Sequence, residues 1–384
     1  MEYVTIGESC SVVSGGTPSR SKGEFWLDGT IPWIKIGNIK TKYVNEYDEL
    51  ITEEGLNNSS AKLLKKGTIL YTIFATLGEV GILDIDACTN QAIAGITIND
   101  PRITPDFLYY YLKSKKEYVN SIGRGVAQNN INLTTLRKFE IPLIDRDKQS
   151  IIVKTLEKVE KIIDSQKKEL DRYDELVKAR FVEMFGDAIQ NDKGWKTDTV
   201  DNLCKDICGG GTPSKAHPEY YEDGDIPWVS SKDMKTDVLI DSQIKINQLG
   251  IDNSMAKIVP TNSVIMVIRS GILKHTLPIA INAVPITVNQ DLKVFIPSER
   301  ILTRFLAVQF KMQEKDILSG VRAVTADNLE FNSLKQRMLI VPPVDLQEQF
   351  VEFVEGIAKS KSAIQAALDK TQLLFDSLMQ EYFG

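Results

Sequence analysis

Residues 15–33 read GGTPSRSKGEFWLDGTIPW, and residues 210–228 read GGTPSKAHPEYYEDGDIPW. The stretches lie 195 positions apart and share Gly-Gly-Thr-Pro-Ser at one end and Ile-Pro-Trp at the other. Extended without a gap to 15–62 against 210–257, the match gives 19 identities in 48 positions. Chance would give about three, so the chain holds an internal duplication. Outward from this block, Asn58-Ser59-x-Ala61-Lys62 returns as Asn253-Ser254-x-Ala256-Lys257 at the same offset. Asn90-Gln91 answers Asn289-Gln290, and Phe107-Leu108 answers Phe305-Leu306. Glu183-x-Phe185-Gly186 answers Glu381-x-Phe383-Gly384, now 198 apart. A chain of 384 residues allows two or three domains at roughly 150 residues each. The duplication resolves this to one module of about 190 residues written twice.

Each module has two parts. In the first copy, β-rich runs at 31–36, 68–74, 80–85 and 93–98 are punctuated by Gly15-Gly-Thr-Pro and Gly78-Glu-Val-Gly81. Residues 105–118 read as a helix opening on Pro105. The second part, up to Phe185, has neither Gly nor Pro. Its apolar seam runs Ile152, Leu156, Val159, Ile163, Gln166, Leu170, Tyr173, Val177, Arg180, Met184. Those steps alternate four and three, the heptad pattern of a coiled coil. The second copy repeats the register with Phe350, Val354, Ile357, Lys361, Ile364, Leu368, Thr371, Phe375, Leu378 and Tyr382, after Asp345-Leu-Gln-Glu348 as a capping box. A helix of this length at the edge of a small domain leaves its stripe uncovered, so two such helices should pack together. Pseudo-symmetry between the copies makes them antiparallel. The expected fold is α+β: two pseudo-symmetric α/β domains, 1–145 and 187–344, joined by two long antiparallel coiled-coil helices, 146–186 and 345–384. Polar seam positions (Gln166, Arg180, Lys361, Thr371) fit register control or a solvated edge, or else binding of a partner protein by part of each helix.

Composition narrows the chemistry. Lys+Arg 46 against Asp+Glu 52 gives a net charge of −6, which argues against a surface that coats nucleic acid throughout. The acidity is uneven: residues 345–384 carry 3 basic and 7 acidic side chains, whereas 1–145 carry 15 and 17, and 187–344 carry 18 and 19. The two heads are nearly neutral and can each present a basic face. Two histidines and four cysteines without a C-x-x-C make zinc sites and disulfide frameworks poor readings. No apolar run approaches the ~20 residues of a membrane helix, and the N-terminus lacks signal-peptide character. A cytoplasmic location is expected.

Catalytic motifs are missing. There is no P-loop, no dinucleotide fingerprint and no nucleophile elbow. The one Pro-Pro, in Val341-Pro-Pro-Val344, lacks the flanking residues of an amino-methyltransferase tetrapeptide. Asp291-Leu-Lys293 is a chance Asp-x-Lys, and Cys204 and Cys208 read as ordinary buried thiols. Recognition chemistry does recur at matching loops. Lys35, Asn38 and Lys40 follow the first Ile-Pro-Trp; Ser230, Ser231 and Lys232 follow the second. A second loop carries Thr76 in one copy and Arg269, Ser270, Lys274 and His275 in the other. A third carries Arg124, Gln128 and Asn129 against Arg322, Thr325 and Asn328. Arg, Lys, Asn and Gln make bidentate contacts to purine edges, while Lys, Ser and Thr hold phosphates. Any one loop alone also fits solvated surface. Frames that repeat while loops diverge suit recognition of two different sequences.

With these residues in view, the chain resembles the specificity subunits of type I restriction–modification enzymes over essentially its whole length. The resemblance rests on the Gly-Gly-Thr-Pro-Ser, Ile-Pro-Trp and Asn-Gln pairs, on Gly123…Asn130-Ile-Asn-Leu133 leading to Phe139-Glu-Ile-Pro142, and on Gly194-Trp195. It implies a non-catalytic DNA-binding subunit that reads a bipartite double-stranded target, one half-site per domain. It further implies two methyltransferase subunits using S-adenosylmethionine and two motor–nuclease subunits using ATP and magnesium as partners. No cofactor is expected on this chain. Two rivals remain at this point: a pseudo-symmetric protein scaffold that does not touch DNA, and a stand-alone restriction or methylation enzyme with degenerate motifs.

Overall fold

The structure, a computed structural model, describes residues 2–123, 130–320, 322–323 and 327–384. The chain divides into two compact units, Met1–Lys167 with Ala366–Gly384, and Lys168–Gln365. Each unit takes a head and part of each long helix.

In the first unit a five-stranded sheet has the order Cys10–Ser14, Ile93–Ile98, Ile69–Thr72, Val80–Leu83, Tyr43–Val44. All pairs are antiparallel except the last, where Tyr43 faces Ile82 in parallel register. The central runs Ile-Leu-Tyr-Thr and Val-Gly-Ile-Leu are buried at every position. That is why they read as continuous apolar stretches rather than alternating ones. A smaller sheet joins Glu49–Ile51, Ile31–Ile34 and Cys88–Thr89. Helix Pro105–Ser114 packs Phe107, Leu108, Tyr110 and Leu112 into the core. It stops earlier than the expected 118, because Lys115 opens to ψ 0° before Lys116–Gly123 restarts. The strand expected at 31–36 likewise ends at Ile34, where Ile36–Asn38 coils into a 3₁₀ turn.

The second unit repeats this topology strand for strand: Cys204–Gly209, Leu292–Pro297, Val264–Val267, Ile279–Asn282, Val238–Leu239, with Lys245–Ile246, Ile226–Val229 and Thr287–Val288 beside it. A further hairpin pairs Arg322–Ala323 with Asp327–Asn328.

The repeated motifs meet in space and explain one another. The Trp33 indole donates to the Gly16 carbonyl, as Trp228 does to Gly211, both at 2.9 Å. Thr17 bonds Gln91, and Thr212 bonds Gln290. A Cβ on Gly15 or Gly210 would fall on the backbone of Thr89–Asn90 or Val288, well inside van der Waals contact. Gly-Gly is therefore required for two segments to touch.

The long helices run Arg146–Phe185 and Val344–Phe383, about 60 Å each at 1.5 Å per residue. Within the second unit, Phe181 meets Phe350 (5.6 Å between rings) and Asp174 meets Lys361. Moving back along one helix means moving forward along the other, so the segments are antiparallel. Each helix also closes a core with its last turns. Phe383 packs on Phe107 in the first unit (5.3 Å), and Phe185 on Phe305 in the second (4.9 Å). Truncating such a ring costs about 3–5 kcal/mol. The heptad seam misses this job, since Phe185 and Phe383 stand one position beyond its last members.

The helix starts differ from expectation. The second begins at Val344, so Asp345 lies inside its first turn and no Asp345–Glu348 box caps it. The carbonyl of Pro343 receives Leu346 and Gln347 instead. At the first helix, Asp145 receives the Lys148 amide at 2.9 Å. The repeated anchor is a buried glutamine one turn in. Gln149 accepts from the Thr104 amide and donates to Arg102 O and Ile144 O. Gln347 does the same with Leu302, Arg300 and Pro342.

Candidate nucleic-acid interface

The loops singled out by sequence cluster because of sheet order. Strand Ile69–Thr72 runs into residues 73–79 and Val80–Leu83 returns from them. Tyr43–Val44 lies parallel to the returning strand, so residues 36–42 enter from the same end. Residues 90–92 join them through Ile73 N–H to Ala92 O. Ile131 N–H bonds Ile73 O, and Phe74 bridges Asn130. The second unit gathers 230–237, 268–278 and 290–291 in the same way, with Arg269 bridging Asn328 and Leu329 N–H on Ile268 O.

The first loop is a shared turn. The Lys35 amide donates to Asn38 Oδ1 at 2.9 Å, and the Ser230 amide to Asp233 Oδ2 at 2.8 Å. Asn38 is only 5% exposed and donates onward to Asp48. Lys35 Nζ sits 2.7 Å from Glu49 and 3.5 Å from Asp48, carboxylates that raise its pKa above the ordinary lysine value. Lys35, Asn38 and Ser230 thus build the turn, whereas Lys40 and Lys232 stand exposed beyond it and Ser231 is half-buried.

In the second loop Thr76 is exposed, after Ala75 in a left-handed conformation (φ 62°). Its counterpart is larger. The Ser270 hydroxyl accepts from the Ile272 amide to start a short turn, and buried Leu273 pins it. Lys274 and His275 are exposed. The exposed Arg269 guanidinium lies 3.9 Å from Asp291. Arg322 pairs through its backbone with half-buried Asn328. Arg124, Gln128, Asn129 and Thr325 lie outside the described residues.

Three groups at this end escaped the sequence reading. Gln91 and Gln290 are exposed amides held by Thr17 and Thr212; the repeated Asn-Gln pair was the signal. Phe74, 42% exposed, occupies the position of Arg269 at offset 195.

The loops are tied down by charges that change sign between copies. Lys116 Nζ holds Glu79 at 2.7 Å in the first unit. Its counterpart Glu314 accepts from the Thr276 hydroxyl at 2.9 Å and from the Leu277 amide. Burial pushes the Glu314 carboxyl up, but the Leu277 amide, Lys311 and Thr276 outweigh it and hold it below its ordinary value. A lowered folded-state pKa means stability present above the unfolded value of about 4.3 and lost as pH falls through the folded value. Glu314→Gln should therefore cost about 1–2 kcal/mol at pH 7 and much less at pH 3 in urea unfolding. Equal losses at both pH values would contradict the charge assignment.

Among the described residues no group of three or more His, Cys, Asp or Glu is placed to hold a metal. None of the helices there is long and apolar enough to cross a membrane. What each cluster offers is an array of amide, hydroxyl, guanidinium and ammonium groups on a rigid frame.

Comparison with known proteins fits this picture. The family model for the type I restriction modification DNA specificity domain matches twice, at residues 1–172 and 192–371. The type I restriction enzyme MjaIX specificity subunit of Methanocaldococcus jannaschii is 26% identical over 375 residues, covering 92% of this chain and 84% of its own. The EcoR124I/EcoR124II specificity subunit of Escherichia coli is 26% identical over 386 residues, covering 90% and 91%. Among solved structures, the S subunit of a type I system from M. genitalium aligns over 100% of this chain and 96% of its own, at TM-score 0.57 and 16% identity. A chain from a type I R-M system studied for complex assembly and conformational transition aligns at TM-score 0.58 and 16% identity, covering 100% and 97%. These structures share the fold of two sheet-bearing heads and long helices. With two family matches spanning most of its length, each over one of the duplicated modules, this chain belongs to the type I restriction–modification DNA specificity family.

Proposed function

We propose that this specificity subunit reads a bipartite duplex target, with one half-site taken by the loop cluster of each head. One observation carries the reading. The same backbone bridge holds Phe74 to Asn130 in the first head and Arg269 to Asn328 in the second. An aromatic ring thus stands where the other copy has a guanidinium. Equivalent frames presenting different side chains suit two different half-sites. Arg269, Asn328, Gln91 and Gln290 are suited to base edges. Lys40, Lys232, Thr76, Ser231, Ser270 and His275 are suited to phosphates and groove walls, and Lys274 belongs to the same face. Arg124, Gln128, Asn129, Arg322 and Thr325 complete the proposed set from sequence.

The subunit contributes recognition, and chemistry comes from partners: two methyltransferase subunits that use S-adenosylmethionine and two motor–nuclease subunits that use ATP and magnesium, in the cytoplasm. The near-neutral heads and net charge of −6 support a complex in which partners supply part of the basic surface around the duplex. Nothing observed favours a scaffold that does not contact DNA.

Domain exchange tests the assignment. Replacing residues 187–344 with the corresponding head of another family member should change one half of the methylated sequence and leave the other half intact. Methylation mapping reads both halves at once, and a change in both would contradict one half-site per head.

A further inference from the structure

The last residue of each first reading loop faces a long helix, and its charge is opposite in the two copies. Lys42 and Asp237 correspond at offset 195. Both are fixed points of the frame: Lys42 O accepts from Ile82 N–H at 2.7 Å, and Asp237 O from Ile281 N–H at 3.0 Å. Their side chains end in comparable three-charge sites of opposite polarity, drawn from different helix positions: the counterpart of Glu157 is Glu355, whereas Lys361 answers Ile163. In the first unit the loop supplies the cation: Lys42 Nζ lies 2.6 Å from Asp106 of its own head and 2.6 Å from Glu157 of the first long helix. In the second unit the helix supplies it. Lys361 Nζ lies 2.7 Å from Asp174 and 3.7 Å from Asp237. Each site is one ammonium between two carboxylates, with the cation 14% exposed in one and 24% in the other.

Two further substitutions accompany the inversion. Lys361 takes the seam position filled by buried Ile163 in the first helix, and Arg304 takes the place of Asp106. A lysine at a coiled-coil seam sacrifices apolar contact, and a half-buried ammonium needs paired carboxylates. In some coiled coils a polar seam residue fixes register at a cost in stability.

We propose that Lys42–Glu157 and Asp237–Lys361 are positioning latches of opposite polarity, each holding one reading loop against a long helix so that the loop meets its half-site in a set orientation. The inference rests on the bipartite reading above, because it assigns each latch to one half-site. Lys42 and Lys361 are positioning residues and need not touch DNA.

The test uses the full-length chain assembled with methyltransferase subunits, and duplexes bearing the mapped target with one half altered at a time. Lys42→Glu should lower discrimination at the half read by 1–145 about tenfold and leave the other half unchanged. Adding Glu157→Lys in an Asp106→Asn background, which removes the like charge that Lys42→Glu would otherwise meet, again pairs one carboxylate with one ammonium across loop and helix and should restore discrimination to within about threefold. Lys361→Met should affect only the half read by 187–344. Lys42→Met, which keeps the stem without the charge, serves if Lys42→Glu folds poorly. A parallel readout needs no DNA: amide exchange in residues 36–44 should quicken in Lys42→Met and recover in the charge-swapped pair. Exchange that fails to respond overturns the latch while leaving the bipartite assignment standing. If exchange responds but both halves weaken equally, the latch's role in orienting one reader is overturned, and the fault is traced to that assignment when the domain exchange also changes both halves. A charge-swapped pair no better than the sum of its single substitutions overturns the proposal outright.

Discussion

Gly210→Ala should destabilise the unit Lys168–Gln365 by about 3 kcal/mol or more, at the upper end of overpacking costs. The reason is local and unforgiving. The added methyl would fall on the backbone carbonyl of Val288, well inside van der Waals contact with its oxygen, where turning the Val288 side chain gives no relief. Relief requires Thr287–Val288 to separate from its parallel partner Ile226–Val229. That movement also disturbs Asn289, whose amide bonds the Val229 carbonyl, and the exposed Gln290 beside it. In a unit of this size the loss corresponds to a drop in Tm of roughly 6–12 °C. Reading of one half-site should fail while the other persists. Calorimetry of the full chain and methylation mapping of the assembled complex check the two halves of this expectation. An unchanged Tm would mean that the close approach carries no cost and that the repeated Gly-Gly has another cause.

The same glycines show what was legible in the sequence. Gly15-Gly-Thr-Pro-Ser, Ile-Pro-Trp and Asn-Gln could be read as a duplicated frame because the constraints are severe: backbone contact, an indole bond to a carbonyl, a hydroxyl on an amide. Each tolerates few residue types, so both copies keep them. The heptad seam was legible for a similar reason, as burial along a long helix repeats at a fixed period. What escaped was set by partners distant in sequence. Asn38 looked like a reader because Asn suits adenine edges, yet it closes a turn that Asp233 closes in the other copy; either oxygen accepts the amide equally well. Phe74 looked like the end of a core strand, and only its bridge to Asn130 places it among the loops. Lys361 looked like a blemish in the seam. Its meaning depends on Asp174 and Asp237, 187 and 124 positions away, and no local pattern announces such a pair.

Lengthening both long helices by one heptad should increase the preferred gap between half-sites by about three base pairs, with both half-site sequences unchanged. Seven residues add ~10 Å of helix, and a base pair occupies ~3.4 Å. Insertion between Lys167 and Lys168 and between Gln365 and Ala366, where the chain passes from one compact unit to the other, keeps each latch with its own loop. A whole heptad preserves the seam, whereas adding four residues to one helix alone would rotate its seam away from its partner and cost stability. Duplex geometry adds a second expectation. Three base pairs also turn one half-site by roughly 100° about the DNA axis, given ~10.5 base pairs per turn. The long helices supply no matching rotation, so the single-heptad chain should bind its new preferred target more weakly than the parent binds its own. Three heptads add ~31 Å, close to one full DNA turn. That chain should prefer a gap about nine base pairs longer and recover most of the lost affinity. An unchanged gap in both lengthened chains would show that the helices do not set the spacing. A gap that lengthens steadily with no loss at one heptad would show that the heads turn freely about the helices.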